Sequence, residues 1–158
     1  MTSRLKSAKL GATAAVSQTS NKERIPQNCM KRCHSCNNKA LTTTRFCLRC
    51  YIRDCVRKTL EVRDKQQKEH LTDLLLVKLR QQNHQCIYTG RRLIPGVNLS
   101  LDHILPKSLF PEGFRRLDNL VWVDLSVNIA KNNLLPKDFL EMCEDVVYTK
   151  SKHLTNQV

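Results

Sequence analysis

Cys33-His34-Ser35-Cys36 and Cys47-Leu48-Arg49-Cys50 form two Cys-x-x-Cys pairs with ten residues between them. Each pair can offer two thiolates to one tetrahedral Zn²⁺, and the hairpin between them closes the site. The segment that carries them, residues 29 to 55, is short, basic and dense in cysteine. A metal supplies the folding free energy that its apolar content cannot. Cys33, Cys36, Cys47 and Cys50 are therefore the expected zinc ligands, and Cys29, His34 and Cys55 lie close enough in sequence to substitute for one of them. Such a module is either purely architectural or in contact with a polyanion. Arg45, Arg49, Arg53, Arg57 and Lys58 tilt the expectation toward phosphate contacts, which position a protein without reading sequence. Redox chemistry is disfavoured, since no βαβ pattern surrounds either pair.

The chain has 158 residues and eight cysteines. That length holds one compact domain with small additions. No run of 7 to 15 apolar residues follows Met1 as a secretory signal requires, so metal-bound or free thiols in a reducing, intracellular compartment fit better than a disulfide scaffold. No stretch approaches the roughly 20 apolar residues of a membrane span. Residues 1 to 21 are rich in Ser, Thr and Ala and carry no acid. This is the composition of a flexible basic tail in a cytoplasmic protein, or alternatively of a transit peptide to an organelle matrix.

The net charge of +13 is uneven. Residues 1 to 60 hold 13 basic and 2 acidic side chains, residues 61 to 100 hold 7 and 4, and residues 101 to 158 hold 7 and 8. The positive field lies N-terminal to the part of the chain that carries the catalytic candidates. Such a field concentrates a polyanion and binds it through counterion release, so nucleic acid is the expected partner.

Five segments are expected. They are a basic tail (1–28), the cysteine module (29–55), a linking helix (56–84), a C-terminal domain (85–150) and a short tail (151–158). The linking segment lacks Gly and Pro, and its Leu71, Leu74, Leu75 and Leu79 follow helical spacing. In the C-terminal domain, Thr89-Gly90 and Pro95-Gly96 punctuate β-prone runs at 86–88 and 97–104. A further run covers 120–123. Asp124 or Ser126 can then cap a helix through Lys131, and Pro136 can open another.

Within that domain, Asp102-His103, Asp118-Asn119 and Asn128-Ile129-Ala130-Lys131 suit phosphodiester hydrolysis. The reaction needs an activated water, neutralised phosphate charge and a stabilised leaving oxygen. His103 has an ordinary pKa fit to take a proton from water near neutral pH. The Asp102 carboxylate and the Asn128 carbonyl suit a hard cation such as Mg²⁺. Lys131, three residues after Asn128 on the same helix face, can reach a phosphate. Neighbours on a regular strand point to opposite faces, so Asp102 and His103 converge only if the strand ends or bends there. Pro106 favours such an end.

In Cys86-Ile87-Tyr88-Thr89-Gly90, Leu101-Asp102-His103-Ile104-Leu105-Pro106, Leu117-Asp118-Asn119-Leu120-Val121, Asn128-Ile129-Ala130-Lys131 and Pro136-Lys137-Asp138-Phe139-Leu140, the chain resembles the HNH (His-Asn-His) nucleases of the ββα-metal superfamily. It is similar to the HNH domain of RNA-guided CRISPR effectors and to phage or intron-encoded homing endonucleases. The resemblance spans roughly residues 86 to 147. It implies His103 as general base, Asp102 and Asn128 as ligands of one Mg²⁺ or Mn²⁺, and Asn119 as the residue that orients the loop and the histidine. Asn128 stands where the name-giving pattern has His. The second zinc site of many relatives is expected to be missing, because Thr89 stands where a cysteine would follow Cys86. Cys86 and Cys143 are then core thiols. The expected architecture is thus α+β, with a four-cysteine zinc module and a linking helix ahead of a ββα-metal nuclease domain. The expected activity is metal-dependent cleavage of double-stranded DNA by a free-standing homing endonuclease. Structure-selective and restriction-type nucleases are the alternatives within the class, and a catalytically inactive zinc-dependent nucleic-acid-binding protein is the rival outside it. One active site per chain cuts one strand at a time, so a double-strand break calls for a second event or a homodimer.

Overall fold

The computed structural model describes residues 31 to 153, with side chains through Lys150. Cys29 and the basic tail lie outside the described residues. The chain is α+β, with four α-helices, one two-stranded antiparallel sheet and a cluster of four cysteines among the described residues. No helix among them is long and apolar enough to cross a membrane.

The cysteine module opens with a tight hairpin, held by an antiparallel bridge between Arg32 and Lys39. Cys33 N donates to Asn38 O at 2.7 Å, and Asn37 takes a left-handed conformation (φ 60°) to close the turn, a conformation that asparagine tolerates better than most residues. Helix α1 (Leu48–Leu60) then starts inside the module, directly after Cys47. Leu48, Ile52, Val56 and Leu60 recur every four residues and put one apolar stripe against the core.

The single linking helix expected over residues 56 to 84 is corrected to two helices. The first ends at Glu61, whose left-handed backbone (φ 53°) stops it, and Val62 turns inward to be buried. Asp64 then caps helix α2 (Lys65–Gln81) by accepting from Gln67 N at 2.6 Å. Leu71, Leu75 and Leu79 form the buried stripe of α2. Arg49 pairs with Asp73 and Arg53 with Glu69, so residues later in α1 meet residues earlier in α2 and the two helices run antiparallel.

The β-prone run at 86–88 is a turn rather than a strand. Gly90 N bonds back to Cys86 O, and only Gln85 and Arg92 form a bridge across it. Strand β1 (Leu99–His103) pairs with β2 (Leu120–Asp124) in a register that sets Leu101 against Trp122 and Asp102 against Val121. Leu101 and Trp122 face α2, where Trp122 Nε1 donates to Leu75 O at 2.9 Å. The side-chain amide of Gln82, at the end of α2, donates to Trp122 O and accepts from Trp122 N. It satisfies the outer edge of β2 as another strand would. Asp124 caps helix α3 (Leu125–Lys131), accepting from Ser126 N at 2.9 Å, and α3 lies over the other face of the sheet. Pro136 opens helix α4 (Pro136–His153), which runs past the expected boundary at residue 150.

One buried cluster joins Ile52, Val56 and Leu60 of α1 to Leu75 of α2, Leu101 of β1 and Trp122 of β2. The cysteine module is fastened to it by Tyr51, whose hydroxyl donates to Leu99 O, and by Thr43, whose hydroxyl donates to Pro95 O. Gly96 allows that approach. A Cβ there would lie 2.8 Å from Thr43 O, and its φ of +78° suits glycine.

Candidate functional site

Two sites with separate chemistry emerge. At the first, the sulfurs of Cys33, Cys36, Cys47 and Cys50 all lie within 4.8 Å of one another. Cys36 Sγ and Cys47 Sγ are 3.6 Å apart, and all four thiols are free. A tetrahedron with Zn–S bonds of about 2.3 Å has sulfur–sulfur edges of roughly 3.8 Å. The cluster thus fits a structural metal such as zinc. Burial raises the Cys33 pKa, but backbone amides of Cys47, Ser35 and Cys36 aimed at its sulfur outweigh that and bring it down to about 6, whereas burial and the neighbouring thiols push Cys47 and Cys50 upward. Neither His34 nor Cys55 joins the cluster. Cys55 instead packs half-buried against the core, where burial pushes its thiol up to about 11.

Around this cluster the expected phosphate-contacting cations are largely committed to protein carboxylates. Arg49 pairs with Glu69 and Asp73, Arg53 with Glu69, and Arg57 and Lys58 with Asp54. These pairs tie α1 to α2 and brace α1 internally. They range from exposed to half-exposed, as at Arg53–Glu69, and each is worth about 0–1 kcal/mol.

The second site is an open cleft of about 530 Å³ lined by Asp102, His103, Pro106, Lys107, Asn128, Ile129, Asn132 and Asn133. Asp102 and His103 meet there because β1 ends at His103. The chain then turns, with Ile104 N donating to Asn119 O at 2.8 Å. Asn119 is buried and uses its whole side-chain amide on the next residue of that turn. Its Oδ1 accepts from Leu105 N at 2.8 Å and its Nδ2 donates to Leu105 O at 3.1 Å. This pair of bonds pins the loop that follows His103.

Asn128 reaches the cleft from α3. Its Nδ2 donates to Ser100 Oγ at 2.8 Å and more weakly to Leu101 O, which leaves Oδ1 uncommitted among the described residues. Asp102 Oδ2 and His103 Nε2 are both buried without a hydrogen-bond partner among those residues. Asp102 Oδ2 has the Lys131 ammonium at 3.1 Å, so His103 Nε2 is the orphan that calls for a water, ion or ligand. The chain matches no known family model and no curated protein sequence. What the cleft can do therefore rests on its own groups.

Burial raises the Asp102 carboxyl above its ordinary range, and the Lys131 charge pulls the other way. Burial also lowers the His103 imidazole, with the Asp102 charge opposing it. A neutral imidazole near pH 7 can accept a proton. Beside it stands Phe114, whose ring centroid is 5.9 Å from that of His103.

Lys131 is the correction at this site. Expected to reach a phosphate, it is fully buried beneath the sheet, 0% exposed, and is not part of the cleft wall. Its Nζ donates to His103 O at 2.9 Å and stands 3.1 Å from Asp102 Oδ2, close enough for an ion pair but off hydrogen-bond alignment. It neutralises Asp102 from below. Cys86 is buried in the core, with the Thr89 hydroxyl beside its sulfur, and Cys143 packs half-buried against that core. Sequence reasoning misses Ser100, Lys107 and Phe114. The alternation of β1 holds the signal for Ser100, since it shares a face with Asp102.

Proposed function

We propose that this chain is a metal-dependent DNA endonuclease of the HNH kind, within the ββα-metal superfamily, and that it hydrolyses phosphodiester bonds in the cleft at Asp102 and His103. It rests on one observation above all. One buried polar atom, His103 Nε2, lacks a partner among the described residues, and its residue lines the same open cleft as Asp102, whose Oδ2 is ion-paired with Lys131, and Asn128, whose carbonyl is uncommitted. The order β1, β2, α3, with the candidate base at the end of the first strand and Asn128 on the helix, supports the same reading.

In this mechanism His103 Nε2 takes the proton from the attacking water, while Asn119 holds the Leu105 backbone and so fixes the position of the imidazole. Asp102 and Asn128 would hold Mg²⁺ or Mn²⁺, which when bound supplies charge stabilisation to the phosphate and the leaving 3′-oxygen. Lys131 keeps the Asp102 carboxylate ionised in its buried setting. The expected products carry 5′-phosphate and 3′-hydroxyl ends. The four-cysteine module holds Zn²⁺ as an architectural brace. As biological role we favour a homing endonuclease, which the basic N-terminal half supports.

The test is plasmid nicking with Mg²⁺ or Mn²⁺. His103→Ala should lower the rate by about 10²- to 10⁴-fold, the usual contribution of a general base. Equal background from both proteins, with equal DNA binding, would leave a zinc-dependent nucleic-acid-binding protein without catalysis. Sequencing the ends cut from randomised libraries separates a homing enzyme from a structure-selective one.

A further inference from the structure

We infer that the corner between α1 and α2 is a phosphate track, which receives the DNA backbone as it leaves the cleft and leads it toward the cysteine module. The inference builds on the nuclease reading for its direction, but the surface is defined by its own geometry. Three hollows follow one another. The cleft of about 530 Å³ includes Lys107, whose Nζ lies 2.8 Å from Glu61 Oε1. Glu61, Arg63 and Arg115 line a second hollow of about 390 Å³. Lys107 and Arg115 both lie on the ring of Phe114, at 4.7 and 4.8 Å from its centroid, and that ring neighbours His103. The third hollow, about 270 Å³, contains Lys65 and Lys68 from the first turn of α2 and reaches Ser35 and Cys50 of the cysteine module.

The charges along this path are unequal in a telling way. Its carboxylates, Glu61, Asp54 and Glu69, are all engaged by cations. Arg63, Lys65 and Lys68, by contrast, have no side-chain partner among the described residues, and Arg63 and Lys65 are exposed. These three uncommitted cations sit at the start of a 17-residue helix, on either side of the single Asp64 carboxylate that caps it. An extended polyanion threading from the cleft would meet them in sequence. Duplex DNA, with one charge per about 1.7 Å of axis, presents such a row.

The test measures binding of a 30-base-pair duplex, with His103→Ala as the background and no added Mg²⁺, so that cleavage plays no part. Arg63→Gln, Lys65→Gln and Lys68→Gln together should weaken binding at least about tenfold and lower the slope of log K against log salt by about 2.7, or 0.9 per lost contact. Arg80→Gln, Arg91→Gln and Arg92→Gln together remove the same charge elsewhere and should have a clearly smaller effect. Equal losses in the two triple variants, no loss in the first, or no duplex binding by the unmodified chain would each overturn the track. Nicking by the wild-type chain is scored separately. Nicking with an unaltered triple variant leaves the nuclease reading standing without the track; a weakened triple variant without any nicking leaves the track without the nuclease.

Discussion

The two candidate sites are built on opposite plans. The cysteine site gathers four identical ligands from a stretch of 18 residues, so one local hairpin and the first turn of α1 complete it. The cleft needs three different residue types from β1, the turn before β2 and α3, and it exists only once the sheet and its core have formed. A local site of this kind would be stabilised by the metal it could hold. A dispersed site is stabilised by the fold around it, and part of its own polar apparatus, such as Lys131 and Asn119, is committed to that support.

The sharpest break in this comparison should come from removing the metal. Metal analysis should find about one Zn²⁺ per chain, lost when Cys33→Ser and Cys36→Ser are combined. Structural zinc contributes roughly 10–16 kcal/mol of apparent binding free energy. Hydrogen exchange over residues 31 to 47 should therefore become fast, while the Trp122 amide, which is bonded to Gln82 and lies in the apolar core, stays protected. Retained protection of the hairpin in a zinc-free chain would show that the module folds on its own.

Around the cleft, the largest effect should follow loss of the cation buried beneath it. Lys131→Met leaves Asp102 as an unpaired buried charge and should cost about 3–5 kcal/mol in urea unfolding. Adding Asp102→Asn should recover most of it, because the uncompensated charge is then gone. Additive losses in the double variant would mean that the two residues are not coupled, contrary to their 3.1 Å separation. Asn119→Ala comes next. It strands one N–H and one C=O of Leu105, a loss of about 2 kcal/mol in all. Hydrogen exchange at Leu105 should rise, since that backbone loses its clamp.

The same contrast explains how far each site can be read from sequence. The four cysteine ligands are legible because metal geometry imposes a fixed, short spacing. Asn119 and Asn128 are legible as types, and Pro136 and Asp124 as helix openers. Lys131 is not, because spacing on a helix fixes a face and leaves depth undetermined. The face that carries Asn128 toward the cleft also carries Lys131 under the sheet. The break at Glu61 is hidden for a similar reason. No Gly or Pro marks it, and a non-glycine residue takes the left-handed conformation because burial of Leu60 and Val62 on either side offsets the strain. Asp64 ahead of Lys65 is the available signal of a new helix. Arg49 and Arg53 of α1 look free in sequence because their partners lie 16 to 24 residues away on another helix.

The smallest effect expected is also the one that links the sheet to the loop beneath the cysteine module. The Asp124 carboxylate accepts from the Ser126 hydroxyl at 2.7 Å, from Ser126 N at 2.9 Å, and from Asn98 Nδ2 at 2.7 Å. These bonds, led by the Ser126 hydroxyl, outweigh its burial and hold its pKa below the usual carboxylate range. A depressed folded-state pKa means that the stabilisation is complete above the unfolded value, near about 4, and is lost as pH falls through the folded one. Asp124→Ala should therefore cost about 1 kcal/mol at pH 7, the usual worth of an N-cap. The gap between wild type and variant should narrow as pH drops from about 5 toward about 2. A gap that stayed constant over that range would assign the stabilisation to the shape of the cap and not to its charge. Because Asn98 also accepts from Ile94 N at 2.7 Å, a loosened Asp124 should show first as faster exchange at Ile94, in the loop on which Thr43 of the cysteine module rests.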